Sequence, residues 1–117
     1  MERKELLAYI EQKYQVQAEY LWQKFPTYAV FRQQANRKWF ALVMTVPAAK
    51  LGLSGQGSEE LLNVKLDPEL VGLLKQTPGF LPAYHMNKAT WISIRLKQIA
   101  VEQIKDLLAQ SYDLTQK

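Results

Sequence analysis

The side chains best suited to chemistry stand close together between positions 82 and 91. They are Pro82, Tyr84, His85, Asn87, Lys88 and Trp91. An imidazole among a phenol, an amide and an amine can transfer protons or bind an anion. His85, however, is the only histidine, and the chain has no cysteine and no nucleophile-elbow sequence, so neither a catalytic triad nor a histidine or thiolate metal site can be assembled. We therefore expect a protein that is not an enzyme and that uses no metal or cofactor.

The turn from His85 to Lys88 has a structural interpretation and a functional one. In the first, His85 is a hydrogen-bonded structural residue and Asn87 binds the backbone at the entry to a strand. In the second, Lys88 binds the anion of a ligand. A further functional possibility is an enzyme for a small ligand, with a site built from Tyr84, His85, Asn87 and Lys88. The structural interpretation is favoured.

Positive charge is concentrated in two stretches, residues 20–58 and 70–101, that contain no acidic residue. Alternation along the predicted strands places Arg32, Lys65 and Arg95 on one outward face, with Trp91 and Trp39 nearby. Nucleic acids bind surfaces of this kind, in which cations lie among aromatic rings. The candidate DNA-binding residues are Arg32, Arg37, Lys38, Lys65, Lys88, Arg95 and Lys97. The alternative is that these cations only solvate an open sheet face.

Periodicity predicts the elements that position these residues. Apolar residues at steps of three and four predict helices over 2–14, 68–76 and 100–115, the second capped by Asp67 and burying Leu70, Leu73 and Leu74. Aromatic, β-branched or alternating segments predict strands at 20–22, 28–32, 39–46, 61–66 and 90–96. Between them, a loop rich in glycine and serine at about 48–60 is expected to be mobile.

The element order α-β-β-β-β-α-β-α predicts an α+β fold in two layers, a mainly antiparallel five-stranded sheet with helices on one face. At 117 residues, of which 48% are hydrophobic, the chain is long enough for one domain over 1–117. Its apolar runs are too short to span a bilayer, and no secretory signal is visible. We expect a soluble, cytoplasmic monomer without a membrane partner.

The run Pro82-x-Tyr84-His85-x-Asn87-Lys88-x-x-Trp91 resembles the MmcQ/YjbR family. Weaker matches at 31–32, 38–41, 65–69 and 111–114 extend the resemblance over nearly the whole chain. The resemblance implies a fold similar to the secretion-chaperone and CyaY-like proteins. It also implies a DNA-binding role in which hairpins act as two wings.

Two functions from different classes follow. The first hypothesis is a non-enzymatic domain that binds DNA weakly through a basic sheet face and hairpin turns. The alternative is a protein-interaction module that binds a partner through a sheet edge or a groove. A continuous positive stripe would favour DNA, whereas an apolar groove would favour a protein partner.

Overall fold

The computed structural model describes residues 1–117 as a five-stranded antiparallel sheet with three α-helices packed on one face. The helices are α1 (Arg3–Tyr14), α2 (Pro68–Leu74) and α3 (Val101–Leu114). The strands are β1 (Ala29–Arg32), β2 (Trp39–Pro47), β3 (Ser58–Lys65), β4 (Phe80–Pro82) and β5 (Trp91–Arg95). Their order across the sheet is β1-β2-β3-β5-β4. The predicted α+β class is confirmed, and none of the helices has the length and apolar character needed to cross a membrane.

The main core lies between the helices and the sheet. Its 20 buried residues include Leu6 and Ile10 of α1, Ile104 and Leu108 of α3, and inward residues of every strand. Local signals fix the starts of α1 and α2, and for α1 Glu2 and Glu5 form a reciprocal capping box. The carboxylate of Asp67 likewise accepts the amide N–H of Glu69 at 3.0 Å.

Several local predictions are wrong. Residues 20–22 form no strand, because the chain makes only an isolated bridge between Glu19 and Val30 and then turns. The fifth strand is instead β4, a three-residue segment that was predicted to be loop. In α2 the buried residues are Val71 and the predicted Leu74, whereas Leu73 is 70% exposed, since a helix this short buries only one narrow stripe.

The predicted loop at 48–60 is shorter than expected. Residues 48–51 form a 3₁₀ turn, and β3 already begins at Ser58. The amide of Ala48 donates to the carbonyl of Gly57, and the amide of Leu53 donates to that of Ala48. Glycines at positive φ, Gly52, Gly55 and Gly57, allow the chain to reverse within the remaining residues 52–57.

A β-bulge changes which face Trp39 occupies. The pairing of Phe31 with Ala41 is followed by that of Arg32 with Trp39, so Phe40 is the extra residue on β2. Phe40 packs into the main core, while Trp39 turns to the opposite face beside Leu42. Regular alternation along β2 would put Phe40 on the face of Leu42, and the bulge moves it to the other face.

Both edges of the sheet are blocked against further strand pairing. On β1, the outward N–H and C=O of Val30 are already paired with Glu19, at 2.8 and 2.9 Å. On the opposite edge, β4 has only three residues and ends in Pro82, which has no N–H to donate. Short, covered or proline-containing edges prevent the addition of another strand.

Candidate functional site

The face of the sheet without helices, here the helix-free face, is apolar at its centre. Six residues are buried there: Tyr28, Val30, Leu42, Met44, Val46 and Leu61. Side chains from the segment before β1 and the turn after β4 pack over them, among them Trp22, Phe25 and Met86. The register places Arg32, Lys65 and Arg95 on this face, as the alternation predicted. Its centre is nevertheless apolar and not basic, because loops deliver aromatic side chains to it instead of leaving it to solvent.

These loops enclose a cavity of about 310 Å³, which we call the aromatic pocket. It is lined by Trp22, Phe25, Tyr28, Trp39, Leu42, Met44, His85 and Met86. Its volume is at the lower end of the range for ligand sites, so it suits one side chain or a molecule of similar size. Sequence reasoning missed the pocket because Trp22 was placed in a strand and Trp39 was considered only as a neighbour of cations.

Aromatic contacts fix the walls of the pocket. Trp22 meets Trp39 edge to face at 5.8 Å between ring centroids and meets Tyr28 edge to face at 6.0 Å. Phe25 stacks on Tyr28 at 4.8 Å. Burial and the neighbouring Tyr84 phenol raise the pKa of Tyr28, so its hydroxyl stays neutral. These edge-to-face and stacked pairs hold the rings in defined orientations and give the pocket a fixed shape.

The segment from Tyr84 to Met86 forms the wall of the aromatic pocket that contains His85 and Met86. Buried hydrogen bonds attach this segment to the sheet. Asn63 Nδ2 donates to the carbonyl of Tyr84 at 3.1 Å, and the amide of Tyr84 donates to Ser93 Oγ at 3.0 Å. Ser93 Oγ in turn donates to Asn63 Oδ1 at 2.5 Å. Both polar side chains are fully buried, although the alternating pattern predicted that they face solvent. The segment covering them explains the difference.

The motif residues have separate roles. His85 has a φ of 61° and an exposed ring beside Tyr84, with centroids 4.0 Å apart, and it makes no hydrogen bond, so the expectation of a hydrogen-bonded histidine is wrong. Asn87 Oδ1 accepts the amide of Ala89 at 2.8 Å, as its structural interpretation predicted. Trp91 is 7% exposed and so offers no stacking surface.

The seven candidate cations divide between the two ends of the sheet. Arg37 and Lys38 precede β2, whereas Arg95 pairs in register with Leu61, which is itself paired with Met44. Met44 is five residues beyond Trp39, or about 17 Å at the rise of a strand. Lys97 follows Arg95, and Arg32 and Lys65 belong to the end that holds Arg37. Lys88 lines a separate cavity with Lys50 and Leu51. Four of the seven, Arg32, Arg37, Lys38 and Lys65, therefore lie at the same end of the sheet.

Acidic residues neutralise part of this charge. Glu19 forms ion pairs with Arg32 at 3.4 Å and Arg37 at 3.1 Å, and Glu59 pairs with Arg95. Lys38 donates to the carbonyl oxygen of Lys117, and the remaining candidate lysines form no ion pair. The end that holds Arg37 consequently keeps a surplus of positive charge.

A second, polar cavity of about 270 Å³ lies at this end and is here called the arginine pocket. It is lined by Gln15, Val16, Gln17, Glu19, Arg32, Gln34 and Arg37. The guanidinium carbon of Arg32 lies 6.0 Å from the ring centroid of Trp39, a wall of the aromatic pocket. The two pockets are therefore neighbours across one arginine–tryptophan contact. No group of three or more His, Cys, Asp or Glu side chains converges to hold a metal ion.

Fold and site together define a small two-layer α+β domain with an aromatic pocket on its helix-free face. The chain belongs to the YjbR family, whose sequence profile matches residues 11–114. It is 40% identical over 114 residues to the Bacillus subtilis protein YyaQ, named as uncharacterised, and the match covers 97% of each chain.

Two solved structures show the same architecture. A crystal structure of a Pseudomonas syringae protein superposes with a TM-score of 0.95 at 42% identity, covering 99% of this chain and all of the other. The Deinococcus radiodurans protein DR2400 superposes with a TM-score of 0.73 at 22% identity, covering 97% of this chain and 78% of that one. The second likeness concerns the fold alone.

Proposed function

We propose that this protein is a non-enzymatic binding module that takes an apolar or aromatic side chain of a protein partner into the aromatic pocket. The observation that carries the proposal is the pocket itself, in which seven of eight lining residues are hydrophobic. Interfaces derive much of their binding free energy from one or two aromatic anchors inserted into such preformed pockets. The helix-free face therefore offers a partner a ready site.

The sheet edges support a groove rather than strand addition as the mode of binding. A partner strand needs a row of free N–H and C=O groups, and both edges lack one, through the Glu19 bridge on β1 and through Pro82 on β4. Of the two modes predicted for a protein partner, the groove is the one we retain. The same blocked edges support the proposal that the protein is a monomer.

Titration with N-acetyl-tryptophanamide, a neutral mimic of an aromatic side chain, tests this function. The three tryptophans give three indole N–H signals in an NMR spectrum of isotope-labelled protein. Trp22 and Trp39 line the pocket, and the buried Trp91 serves as an internal control. We expect the first two signals to shift with roughly millimolar affinity, since a single small group gains little beyond its loss of translational freedom.

Two variants complete this test. Met86→Asp places a charge in the wall of the pocket and should abolish the shifts. Leu73→Asp, the matched control, changes an exposed apolar residue of α2 and should leave them intact. Absence of any shift, or equal shifts at all three indoles, refutes the function.

Weak DNA binding is a second candidate, and the surplus charge around Arg37 favours it. If about three of Arg32, Arg37, Lys38 and Lys65 neutralise phosphates, log K should fall with log salt at a slope of about −2.7. Arg37→Ala combined with Lys38→Ala should lower that slope by about 2. Arg95→Ala is the control, because Arg95 lies at the other end and is paired with Glu59.

Fluorescence anisotropy with a short duplex at two salt concentrations measures this slope. Binding that is undetectable at low salt, or unchanged in the Arg37/Lys38 double variant, rejects DNA as a ligand. An equal effect of Arg95→Ala contradicts the assignment of the contact surface to one end of the sheet.

A further inference from the structure

We infer that the partner segment carries an acidic residue beside its aromatic or apolar anchor, and that Arg32 and Arg37 bind its carboxylate in the arginine pocket. The inference rests on the proposed function and specifies the chemistry of the partner. It is carried by the position of the two pockets, the unsatisfied donors of Arg32, and the charge around both cavities.

The two pockets are close enough for one short peptide to occupy both. Trp39 lines the aromatic pocket, Arg32 lines the arginine pocket, and the Arg32 guanidinium lies 6.0 Å from the Trp39 ring. In an extended peptide, alternate side chains point to the same side about 7 Å apart. An anchor and an acidic residue two positions away therefore match this spacing.

Arg32 retains hydrogen-bonding capacity for a ligand. Its side chain is 25% exposed, its Nε is buried without a hydrogen-bond partner, and its guanidinium donates no hydrogen bond within the protein. The nearest carboxylate, Glu19, is 3.4 Å away and is shared with Arg37. Two guanidinium groups thus face one carboxylate. A second carboxylate would balance the charge and accept paired N–H bonds from a planar guanidinium, the geometry that arginine favours.

Charge around the aromatic pocket favours the same ligand. Its lining contains no acidic side chain, and its walls belong to the two acid-free stretches of the sequence. Along the chain, Lys24 directly precedes Phe25, and Lys88 follows Met86 by two residues. A basic peptide would meet only like charge on the wall segments, so complementarity discriminates against it.

Three capped peptides test the inference. Their binding to isotope-labelled protein is measured from the NMR shifts of the Trp22 and Trp39 indole signals. The peptides are acetyl-Glu-Ala-Phe-Ala-Glu-amide, acetyl-Lys-Ala-Phe-Ala-Lys-amide and acetyl-Glu-Ala-Ala-Ala-Glu-amide, so that each charge stands two positions from the anchor. We expect the acidic phenylalanine peptide to bind about tenfold more tightly than the basic one at low salt, and the alanine peptide not to shift either indole. The preference should shrink at high salt.

Arg32→Gln and Arg37→Gln should each reduce the preference for the acidic peptide. Lys75→Gln is the matched control, because Lys75 is an exposed cation at the end of α2. The Trp91 signal reports whether each variant is folded. Loss of preference in the control as well, or no loss in either arginine variant, overturns the inference.

The outcomes separate the two proposals. Equal affinity for acidic and basic phenylalanine peptides overturns the inference and leaves the proposed function standing. If neither phenylalanine peptide nor N-acetyl-tryptophanamide shifts the two indoles, both fail. Adenosine monophosphate, which combines a planar base with a phosphate, is titrated as a further test ligand. Tighter binding of this nucleotide than of the acidic peptide replaces the peptide with a nucleotide as the ligand.

Discussion

The Asn63–Ser93 pair allows one wall of the aromatic pocket to be loosened without changing any residue that lines it. Ser93 Oγ accepts the amide of Tyr84 at 3.0 Å and donates to Asn63 Oδ1 at 2.5 Å. Ser93→Ala removes both bonds. The amide of Tyr84 and the side-chain Oδ1 of Asn63 then lose their partners beneath a covered surface, which water reaches poorly.

The magnitude follows from these two groups. Each buried donor or acceptor left unpaired costs about 1–3 kcal/mol, so Ser93→Ala should lower the free energy of unfolding by about 2–6 kcal/mol. The change in volume is small and adds little. Because one of the lost bonds holds the amide of Tyr84, the wall formed by His85 and Met86 should also become less ordered.

Urea denaturation followed by circular dichroism measures the stability, and N-acetyl-tryptophanamide titration measures the pocket. Ser54→Ala, in the connection before β3, is the control and should change stability by less than about 0.5 kcal/mol. A loss below about 1 kcal/mol for Ser93→Ala refutes the hydrogen-bond argument. If Ser93→Ala shows the predicted decrease in stability but binds N-acetyl-tryptophanamide with unchanged affinity, the link between this pair and the pocket is refuted.

Three further predictions concern single residues. Trp91→Ala should cost about 3 kcal/mol or more in chemical denaturation, because Trp91 is 7% exposed, and a loss below about 1 kcal/mol would contradict its structural role. Burial raises the pKa of Tyr14 to about 12, above the unfolded value of 10, so stability should fall as the pH rises from 10 to 12. Tyr14→Phe should remove that part of the fall and, since the Tyr14 hydroxyl has no hydrogen-bond partner, leave stability at neutral pH unchanged or higher. Screens for esterase, phosphatase and nuclease turnover should be negative, and an activity that disappears in folded His85→Ala would overturn the non-enzymatic proposal.

The layers of the fold were predictable because long periodic segments carry them. Ile92 and Ile94 alternate toward the main core as expected, and Asp67 caps α2 as its sequence predicted. Such patterns are local, so they predict the element without knowledge of the surface against which it packs. β2, which is apolar on both of its faces, occupies an interior position of the sheet between β1 and β3.

The site was not predictable in the same way, because its features depend on distant contacts. Aromatic residues at 20–28 suit a strand or a covering loop equally, and only the apolar helix-free face decides between them. The bulge at Phe40 has no glycine or proline to mark it, yet it determines that Trp39 reaches the pocket. Asn63 and Ser93 occupy alternating polar positions, which are expected to face solvent. They are buried because the segment at Tyr84 covers them, and this contact is not visible in the local sequence.

The pocket itself follows from how the two faces of β2 are covered. Three helices fill the space over one face, whereas the other is covered only by short segments around Trp22 and His85. Their rings pack edge to face and cannot close the surface completely, which leaves the cavity over Leu42 and Met44. A cavity enclosed by apolar walls forgoes favourable packing, so a partner side chain that enters it gains both burial and contact. The adjoining Arg32, with unsatisfied donors, adds a charge requirement that a purely structural cover would not need.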